Sequence, residues 1–336
     1  MKTLLMMSLL ASCMIAPAQN SAPLTLSRTI ALPGVVGKFD HLAIDAAGSR
    51  LFIAATGNHS VEVIDLQSGK VQQSITGLGK PHGLAWIAAT GSLYIADGSL
   101  AELRVYKGSP LALSGKIKLS DDADDMVYDG ATHELFVGHG TGNAANPTYV
   151  AVVDTDHFAL LSNLAVAAHP EALDIDSAGR RVFVNIADSK EVAVVDIASK
   201  ATTAHWKLTK AADNVPMAFD GENQLLYVAC RTPGTVIAID ARSGKEVDSL
   251  PTAAGADDMF YDPALRRVYV VAGSGEVDAY QVDTMKTLHA LGVVKTASGA
   301  KTALFVPSQN LLYVGVPAAG QDAAAIRIYT TGGATK

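Results

Sequence analysis

Cysteine is scarce in this sequence, whose 336 residues include only Cys13 and Cys230. Cys13 lies in an N-terminal segment that we expect to be removed, so the mature chain would keep one thiol. A single thiol cannot build a disulfide framework, the device that stabilises many small exported domains. Stability must therefore come from packing. With 49% apolar residues, the chain can bury a large core.

Other features are also missing, and each absence removes a class of function. The formal net charge is −7 and no run of Lys and Arg occurs, which disfavours nucleic acid as a partner. No apolar run reaches the length that a transmembrane helix requires. A Cys-x-x-Cys-His haem motif and a Gly-x-Ser-x-Gly nucleophile elbow are both absent. The sequence therefore points away from nucleic-acid binding, membrane spanning, covalent haem and serine hydrolysis of the usual type.

The N-terminus has the composition of a secretory signal peptide. A lysine precedes an apolar run, Leu4–Leu10, and Ala16-Pro17-Ala18 supplies small residues for cleavage. We therefore expect residues 1–18 to be a signal peptide, residues 19–336 to form a single domain, and the protein to be periplasmic or secreted. One alternative stays open. Leu10-Ala11-Ser12-Cys13 resembles a lipobox, which would anchor the protein to a membrane through a lipid on Cys13.

The rest of the chain is built from a repeat. Residues 39–77 contain four short runs rich in Val, Ile, Leu and Phe, each closed by Gly, Asp, Asn or Ser, which predicts four antiparallel strands with tight turns. The second run recurs six more times, at intervals of 42 to 47 residues. Its seven copies are Leu51-Phe52-Ile53-Ala54, Leu93-Tyr94-Ile95-Ala96, Leu135-Phe136-Val137-Gly138, Val182-Phe183-Val184-Asn185, Leu226-Tyr227-Val228-Ala229, Val268-Tyr269-Val270-Val271 and Leu312-Tyr313-Val314-Gly315.

Seven four-stranded units of this length predict an all-β fold, a seven-bladed β-propeller. The two ends of the chain are complementary. The seventh unit holds three strands, of which Ala325–Thr330 is the last, and a spare strand, Leu24–Leu32, precedes the first unit. Pairing these two strands would close the ring and leave no wide sheet edge exposed. We therefore expect the N-terminal strand to join the last blade.

The Leu-Tyr-Val-Ala type of second strand, followed by Val-x-Val-Ile-Asp, resembles the YVTN-repeat β-propellers, the YncE-like proteins of the bacterial periplasm and surface. The resemblance covers residues 24–331 and implies a seven-bladed propeller that is commonly exported. It implies little about chemistry, because the matching residues belong to the core and to turns. The Tyr-Val-Thr-Asn tetrad is not intact in any repeat, and Val182-Phe183-Val184-Asn185 comes closest to it.

Aligning the repeats places polar residues in two rings where the first strands enter the central channel. Asp124 and Asp125 in the third unit match Asp257 and Asp258 in the sixth, and these units should face each other across the channel. The first ring is Asp40, His82, Asp124, Glu171, Val215, Asp257 and Lys301. The second ring is His41, Gly83, Asp125, Ala172, Pro216, Asp258 and Thr302.

Loops between second and third strands lie on the same face of a propeller, which we call the top face. These loops hold His59, His139 and Arg231, and His169 directly precedes the first strand of the fourth unit. Because propellers usually bind ligands on this face, we predict a ligand site there. Its candidate residues are Asp40, His41, His59, His82, Asp124, Asp125, His139, Glu171, Arg231, Asp257, Asp258 and Lys301.

Crowded carboxylates raise one another's pKa unless a cation compensates for their charge. Lys301 and Arg231 could supply that charge, and so could a metal. Mixed His and carboxylate ligands suit a divalent transition metal better than calcium, although the sequence does not fix a cofactor. The candidate metal ligands are His41, His82, Asp125, His169 and Asp258.

Asp and His where a loop enters a strand can have a structural role instead of binding a ligand, because they often cap backbone N–H groups in turns. We expect that role for the Asp that ends five of the first strands. These residues are Asp45, Asp129, Asp176, Asp220 and Asp262.

Two functions remain open from the sequence. The first is an exported, non-catalytic propeller, expected to be a monomer, that binds a small molecule, a metal ion or a protein partner on its top face. The second is an enzyme that uses the same residues for metal-assisted hydrolysis or lyase chemistry on a lactone or sugar acid, with a carboxylate or His as base. The sequence does not decide whether the protein is an enzyme.

Overall fold

The computed structural model of the protein describes residues 22–144 and 146–332. The predicted signal peptide and the alternative lipid anchor at Cys13 lie outside these residues. Within them the chain forms 28 β-strands in seven four-stranded antiparallel sheets. The all-β, seven-bladed fold predicted from the repeat is therefore confirmed. Two short 3-10 turns, Thr56–Asn58 and Pro307–Gln309, also occur. No helix in this part of the chain is long and apolar enough to cross a membrane.

The strands follow the repeat from one blade to the next. Strand β1 is Leu24–Leu32. Blade 1 is β2 (Leu42–Asp45), β3 (Arg50–Ala55), β4 (Ser60–Asp65) and β5 (Lys70–Ile75); blade 2 is β6 (Pro81–Ile87), β7 (Ser92–Asp97), β8 (Glu102–Lys107) and β9 (Ala112–Lys118); blade 3 is β10 (Met126–Asp129), β11 (Glu134–His139), β12 (Tyr149–Asp154) and β13 (Ala159–Ala165).

The remaining blades continue the same order. Blade 4 is β14 (Leu173–Asp176), β15 (Arg181–Ile186), β16 (Glu191–Asp196) and β17 (Ala201–Lys207); blade 5 is β18 (Ala212–Asp220), β19 (Leu225–Thr232), β20 (Gly234–Asp240) and β21 (Lys245–Pro251). Blade 6 is β22 (Ala256–Asp262), β23 (Arg267–Ala272), β24 (Glu276–Val282) and β25 (Leu288–Lys295); blade 7 contains β26 (Thr302–Val306), β27 (Leu311–Val316) and β28 (Ala324–Thr331).

The fourth strand of blade 7 comes from the other end of the chain. That sheet has the order β1-β28-β27-β26. Strand β1 pairs antiparallel with β28 from Leu24 opposite Thr331 to Leu32 opposite Ala324, with a bulge between Leu26 and Arg28. The first strand of the chain therefore lies in one sheet with the last three.

The core lies between neighbouring blades rather than at the centre of the molecule. Side chains alternate along each second strand, as strand geometry requires. In β3, Leu51 and Ile53 pack toward blade 7, whereas Phe52 and Ala54 pack toward blade 2. The described core forms seven such clusters, one for each pair of adjacent blades. The inner strands are thereby held in a fixed register around the channel.

The Asp residues that end the first strands have the predicted turn role. Asp45 Oδ1 accepts the backbone N–H of Gly48 at 2.9 Å, and its Oδ2 pairs with Arg50 at 2.7 Å. Asp176 makes the same contacts with Gly179 and Arg181. The carboxylates of Asp129, Asp220 and Asp262 likewise accept turn N–H groups. These carboxylates hold turns and are not part of the channel site.

Candidate functional site

A cavity of about 260 Å³ opens at the top of the central channel. We call it the top cavity. Its wall is formed almost entirely by charged and histidine side chains, with Ala172 and Val215 as its apolar members. Every blade contributes at least one residue, because each first strand begins at the same height around the ring. One contribution from each blade in turn is Lys38, Lys80, Asp122, Glu171, Arg231, Asp257 and Lys301.

Ten of the sequence candidates line the top cavity, counting His169 from the metal set. The cavity also contains three residues that the sequence analysis did not select, Lys38, Lys80 and Asp122. Each of them lies two residues before a member of the first ring. Residues two apart in an extended chain point to the same side, and His169 has the same relation to Glu171. That spacing is the signal that could have found them.

His41 lies at the centre of the site among four carboxylates. Its Nδ1 is 3.8 Å from Asp125 and 3.9 Å from Asp258, and its Nε2 is 3.6 Å from Asp40 and 3.8 Å from Asp124. Burial opposes a charge on this ring, but attraction to the four carboxylates wins and raises the pKa of His41 to about 10. The imidazole is therefore a cation at neutral pH. The chain itself supplies a positive charge at the point where the sequence predicted a metal.

The carboxylates of Asp125 and Asp258 also tie neighbouring blades together. Asp125 accepts the backbone N–H of Met126 at 2.7 Å and that of Leu173, in blade 4, at 2.8 Å. Asp258 accepts the N–H of Ala303, in blade 7, at 2.7 Å. Burial raises the pKa of Asp125, and it raises the pKa of Asp258 to about 7. One oxygen of each carboxylate is thus committed to the neighbouring blade, and another lies toward His41.

Asp40, His82 and Asp124 form the most compact group of possible metal ligands. One donor atom from each of them lies within 4.8 Å of the other two. His82 Nδ1 is 2.7 Å from Asp40 Oδ2 and 3.5 Å from Asp124 Oδ1, and burial leaves His82 Nε2 without a hydrogen-bond partner in the described chain. Burial acts to raise the pKa of Asp40, but His82 and the nearby His41 hold it well below its usual range. The short Asp40–His82 contact and the adjacent His41 cation already compensate this group.

The side of the top cavity formed by blades 5 to 7 is rich in cations. Arg231 and Lys301 both form ion pairs with Asp257, and Arg231 Nε also donates to the backbone oxygen of Ala256 at 2.9 Å. Lys38, from the neighbouring blade 1, lines the same cavity and is exposed. The described residues offer Lys38 no ion-pair partner. Two cations share one carboxylate here and a third has none, so this side carries an excess of positive charge.

The opposite side combines acids and bases. Lys80 Nζ pairs with Asp122 at 2.8 Å. His169 Nδ1 is 2.9 Å from the Gly140 oxygen, and, against the effect of burial, its interaction with Asp124 raises its pKa to about 9. Burial raises the pKa of Glu171 to about 6, and no hydrogen bond to its carboxyl group is found in the described chain. Glu171 is therefore a carboxyl group that faces the cavity and titrates close to neutral pH.

Three predicted ligand residues do not line the top cavity: Asp258, whose contact with His41 is given above, and two histidines. His59 is exposed and its Nδ1 is 2.5 Å from the Gly79 oxygen. This contact links the connection between β3 and β4 to the connection between β5 and β6. His139 is buried, packs against Tyr149 with the two rings tilted, and accepts the N–H of Ser120 at Nδ1. Burial lowers the pKa of His139, as expected for a neutral ring in the core. Both rings are used by loop packing in the described structure.

Comparison with known proteins places this fold in context. No protein-family model matches the sequence. Two curated relatives, both named "Uncharacterized protein YncE", come from Salmonella typhimurium and Salmonella typhi. Each is 24% identical over 266 residues, which is 74% of this chain and 72% of the relative.

The chain is a seven-bladed β-propeller that is similar to the YncE proteins.

Similar solved structures support the fold of this YncE-like propeller but carry no argument about its function. A chain of Kuenenia stuttgartiensis hydrazine synthase is 17% identical with a TM-score of 0.71, covering 84% of this chain and 95% of its own. A chain of the mitotic checkpoint complex is 14% identical with a TM-score of 0.77 and 98% coverage of both. U3-55K is 14% identical with a TM-score of 0.75, covering 90% of this chain and 98% of its own. At such identities the likeness carries the fold alone, and function has to be argued from the site.

Proposed function

We propose that this YncE-like propeller is an exported protein that binds a small, polar carboxylate ligand, of the sugar-acid class, in the top cavity. One observation carries the proposal: a cavity of about 260 Å³ whose wall is charged and receives a side chain from all seven blades. Small-molecule sites are concave, with polar groups that fix the ligand's orientation. The predicted signal peptide supports export to the periplasm or beyond.

The distribution of charge supports the ligand class. The carboxylate of the ligand would lie on the cation-rich side, where Lys38 has no ion-pair partner among the described residues and Arg231 and Lys301 share Asp257. Its hydroxyl groups would reach the opposite side, where the carboxyl group of Glu171 can accept or donate a hydrogen bond according to its protonation. A strongly polar wall disfavours an apolar ligand, because such a ligand cannot replace the hydrogen bonds that water makes there.

Gluconate and sorbitol provide a matched pair of probes, because they share a six-carbon polyol chain and differ in the carboxylate. We expect gluconate to raise the melting temperature and to give a binding isotherm by calorimetry, since a ligand that binds only the folded state stabilises it. Sorbitol should do neither. If a wider panel of sugar acids and small hydroxy acids also fails to bind, the proposed ligand class is wrong.

A pair of lysine variants locates the site. Lys301→Met removes a cation from the top cavity and leaves Asp257 paired with Arg231. Lys295→Met removes a lysine of the outer strand β25 that is 80% exposed and paired with Glu276. We expect the first variant to weaken gluconate binding about tenfold or more and the second to leave it unchanged. Equal affinity in both variants would place the ligand elsewhere.

A further inference from the structure

A second cavity continues the channel below the top cavity. Its volume is about 290 Å³, and it shares His41, Asp125 and Ala172 with the top cavity, so these residues form the layer between the two. We call it the lower cavity. The remainder of its wall is mainly apolar and includes Leu42, Leu84, Met217 and Phe260. Most of its lining residues have apolar side chains, but its exposed surface is more polar than apolar. The proposed function makes no use of this cavity.

The charged groups of the lower cavity are nearly all acidic. Its wall contains the carboxyl groups of Asp125, Asp174 and Asp258, and its one basic side chain is His41. His41 is already shared among four carboxylates. Asp174 has no ion-pair partner among the described residues. Its Oδ1 accepts the N–H of Ile175 and its Oδ2 that of Phe219, each at 2.7 Å.

Asp174 remains partly accessible from the cavity. Burial without a compensating cation raises its pKa to about 6. The lower cavity thus has a carboxyl group without a paired cation in the described part of the chain, and apolar side chains lie in the same cavity wall.

Metal ions fit this cavity badly. Hard cations need six or more oxygen ligands or several retained waters, and the apolar wall offers few. Soft ions would need the methionine sulfurs to converge. Met126, Met217 and Met259 line the cavity, but their side chains pack into three separate clusters between different blades. The cation that fits must therefore carry its own apolar body.

We propose that the lower cavity binds a small organic cation of the alkylammonium type, with its alkylated charged head near Asp174 and the ring of Phe260, and with its remaining carbon atoms against the leucine side chains. A carboxylate supplies the opposite charge, and an aromatic face attracts alkylated ammonium groups. This site is separate from the proposed sugar-acid site and does not depend on it.

Choline and its neutral isostere 3,3-dimethylbutan-1-ol test the proposal on the mature protein. The two have the same shape and differ in the charge of the head group. We expect choline to bind by calorimetry and to raise the melting temperature, and the isostere to bind at least about tenfold more weakly. Equal binding of both probes, or no binding of choline, overturns the proposal.

The chain offers a matched control for the carboxylate. Asp248, on the outer strand β21, also accepts its own neighbour's N–H, from Ser249 at 2.8 Å, and an N–H of the next blade, from Leu288 at 2.7 Å. It does so outside the channel. We expect Asp174→Asn to lower choline affinity about tenfold or more and Asp248→Asn to leave it unchanged.

Choline binding that Asp174→Asn leaves intact overturns the assignment. If Asp174→Asn does not fold, Phe260→Leu decides instead. It keeps an apolar side chain but removes the aromatic face, so choline affinity should fall several-fold while the weak binding of the isostere stays the same. Unchanged choline affinity in Phe260→Leu then counts against the site.

Discussion

His41 should stabilise the folded protein as a buried cation, and His41→Gln tests this. Each of the four carboxylates lies 3.6–3.9 Å from a ring nitrogen, a distance at which one pair contributes about 4 kcal/mol at an effective dielectric constant of 20. The cost of burying the charged ring offsets most of the summed attraction of the four pairs. The net result is the rise of the His41 pKa from 6.5 to about 10, which corresponds to about 5 kcal/mol at most.

Two facts set the size and the pH window of the effect. About 25% of the His41 side chain is exposed to the channel, and this solvent contact weakens the pairs, so we expect a loss of about 3 kcal/mol in His41→Gln at pH 6. Because the folded pKa lies above the unfolded value, the stabilisation is complete below pH 6.5 and is lost as the pH rises through 10. The difference between wild type and variant should therefore shrink from pH 7 to 9.

Urea unfolding followed by circular dichroism, repeated across this pH range, measures the difference directly. His289→Gln is the control, because His289 forms an exposed pair with Asp283 at 2.9 Å and is 58% exposed. That variant should change the free energy of unfolding by less than about 1 kcal/mol. A His41→Gln variant that is as stable as wild type at pH 6, or whose deficit does not change with pH, would refute the buried-cation argument.

The remaining predictions concern metal binding, Asp258, strand β1, Cys230 and the N-terminus. Divalent transition metals should raise the melting temperature of His41→Gln more than that of wild type, because the variant leaves four carboxylates uncompensated; an equal, EDTA-sensitive rise in both would instead identify a metal bound at Asp40, His82 and Asp124. Asp258→Asn should gain stability relative to wild type as the pH rises from 4 to 7, since burial raises the pKa of Asp258 to about 7 and the wild type then carries the cost of ionising it; a flat difference in urea unfolding would contradict this. Deleting residues 19–34 removes the partner of β28 and should cause aggregation or a large loss of stability, so a truncated protein with the wild-type melting temperature would contradict the role of β1. Cys230 is buried and its pKa is raised to about 12, so Ellman's reagent should label it only after unfolding. Mass spectrometry of protein from the native host should find Gln19 at the N-terminus, whereas a lipid on Cys13 would show membrane anchoring.

The fold could be predicted from sequence because the repeat is local and strong. The second strand of each blade is buried on both faces, so the same apolar pattern recurs in every unit. Once the repeats were aligned, the equal height of the first strands placed Asp125 and Asp258 in one ring. In the structure both of these carboxylates lie within 3.9 Å of His41 Nδ1.

The rest of the site depends on contacts between blades, which a single sequence does not display. Lys38 and Lys80 share a residue type, but Asp122 and the matching positions of the other blades do not, so no common letter marked the whole ring, although its spacing did. The N–H groups that Asp125 and Asp258 accept belong to the next blade, and their pairing follows from register. His139 looked like a loop ligand, but it is the last residue of β11, and its buried ring lies against Tyr149 on the neighbouring strand.

A structure of the mature protein with gluconate bound would test the central claim most directly. We expect electron density for one ligand in the top cavity, with its carboxylate within hydrogen-bond distance of Lys301, Arg231 or Lys38 and with His41 still between the four carboxylates. A top cavity without ligand at saturating gluconate, or a ligand bound on the outer strands instead, would contradict it.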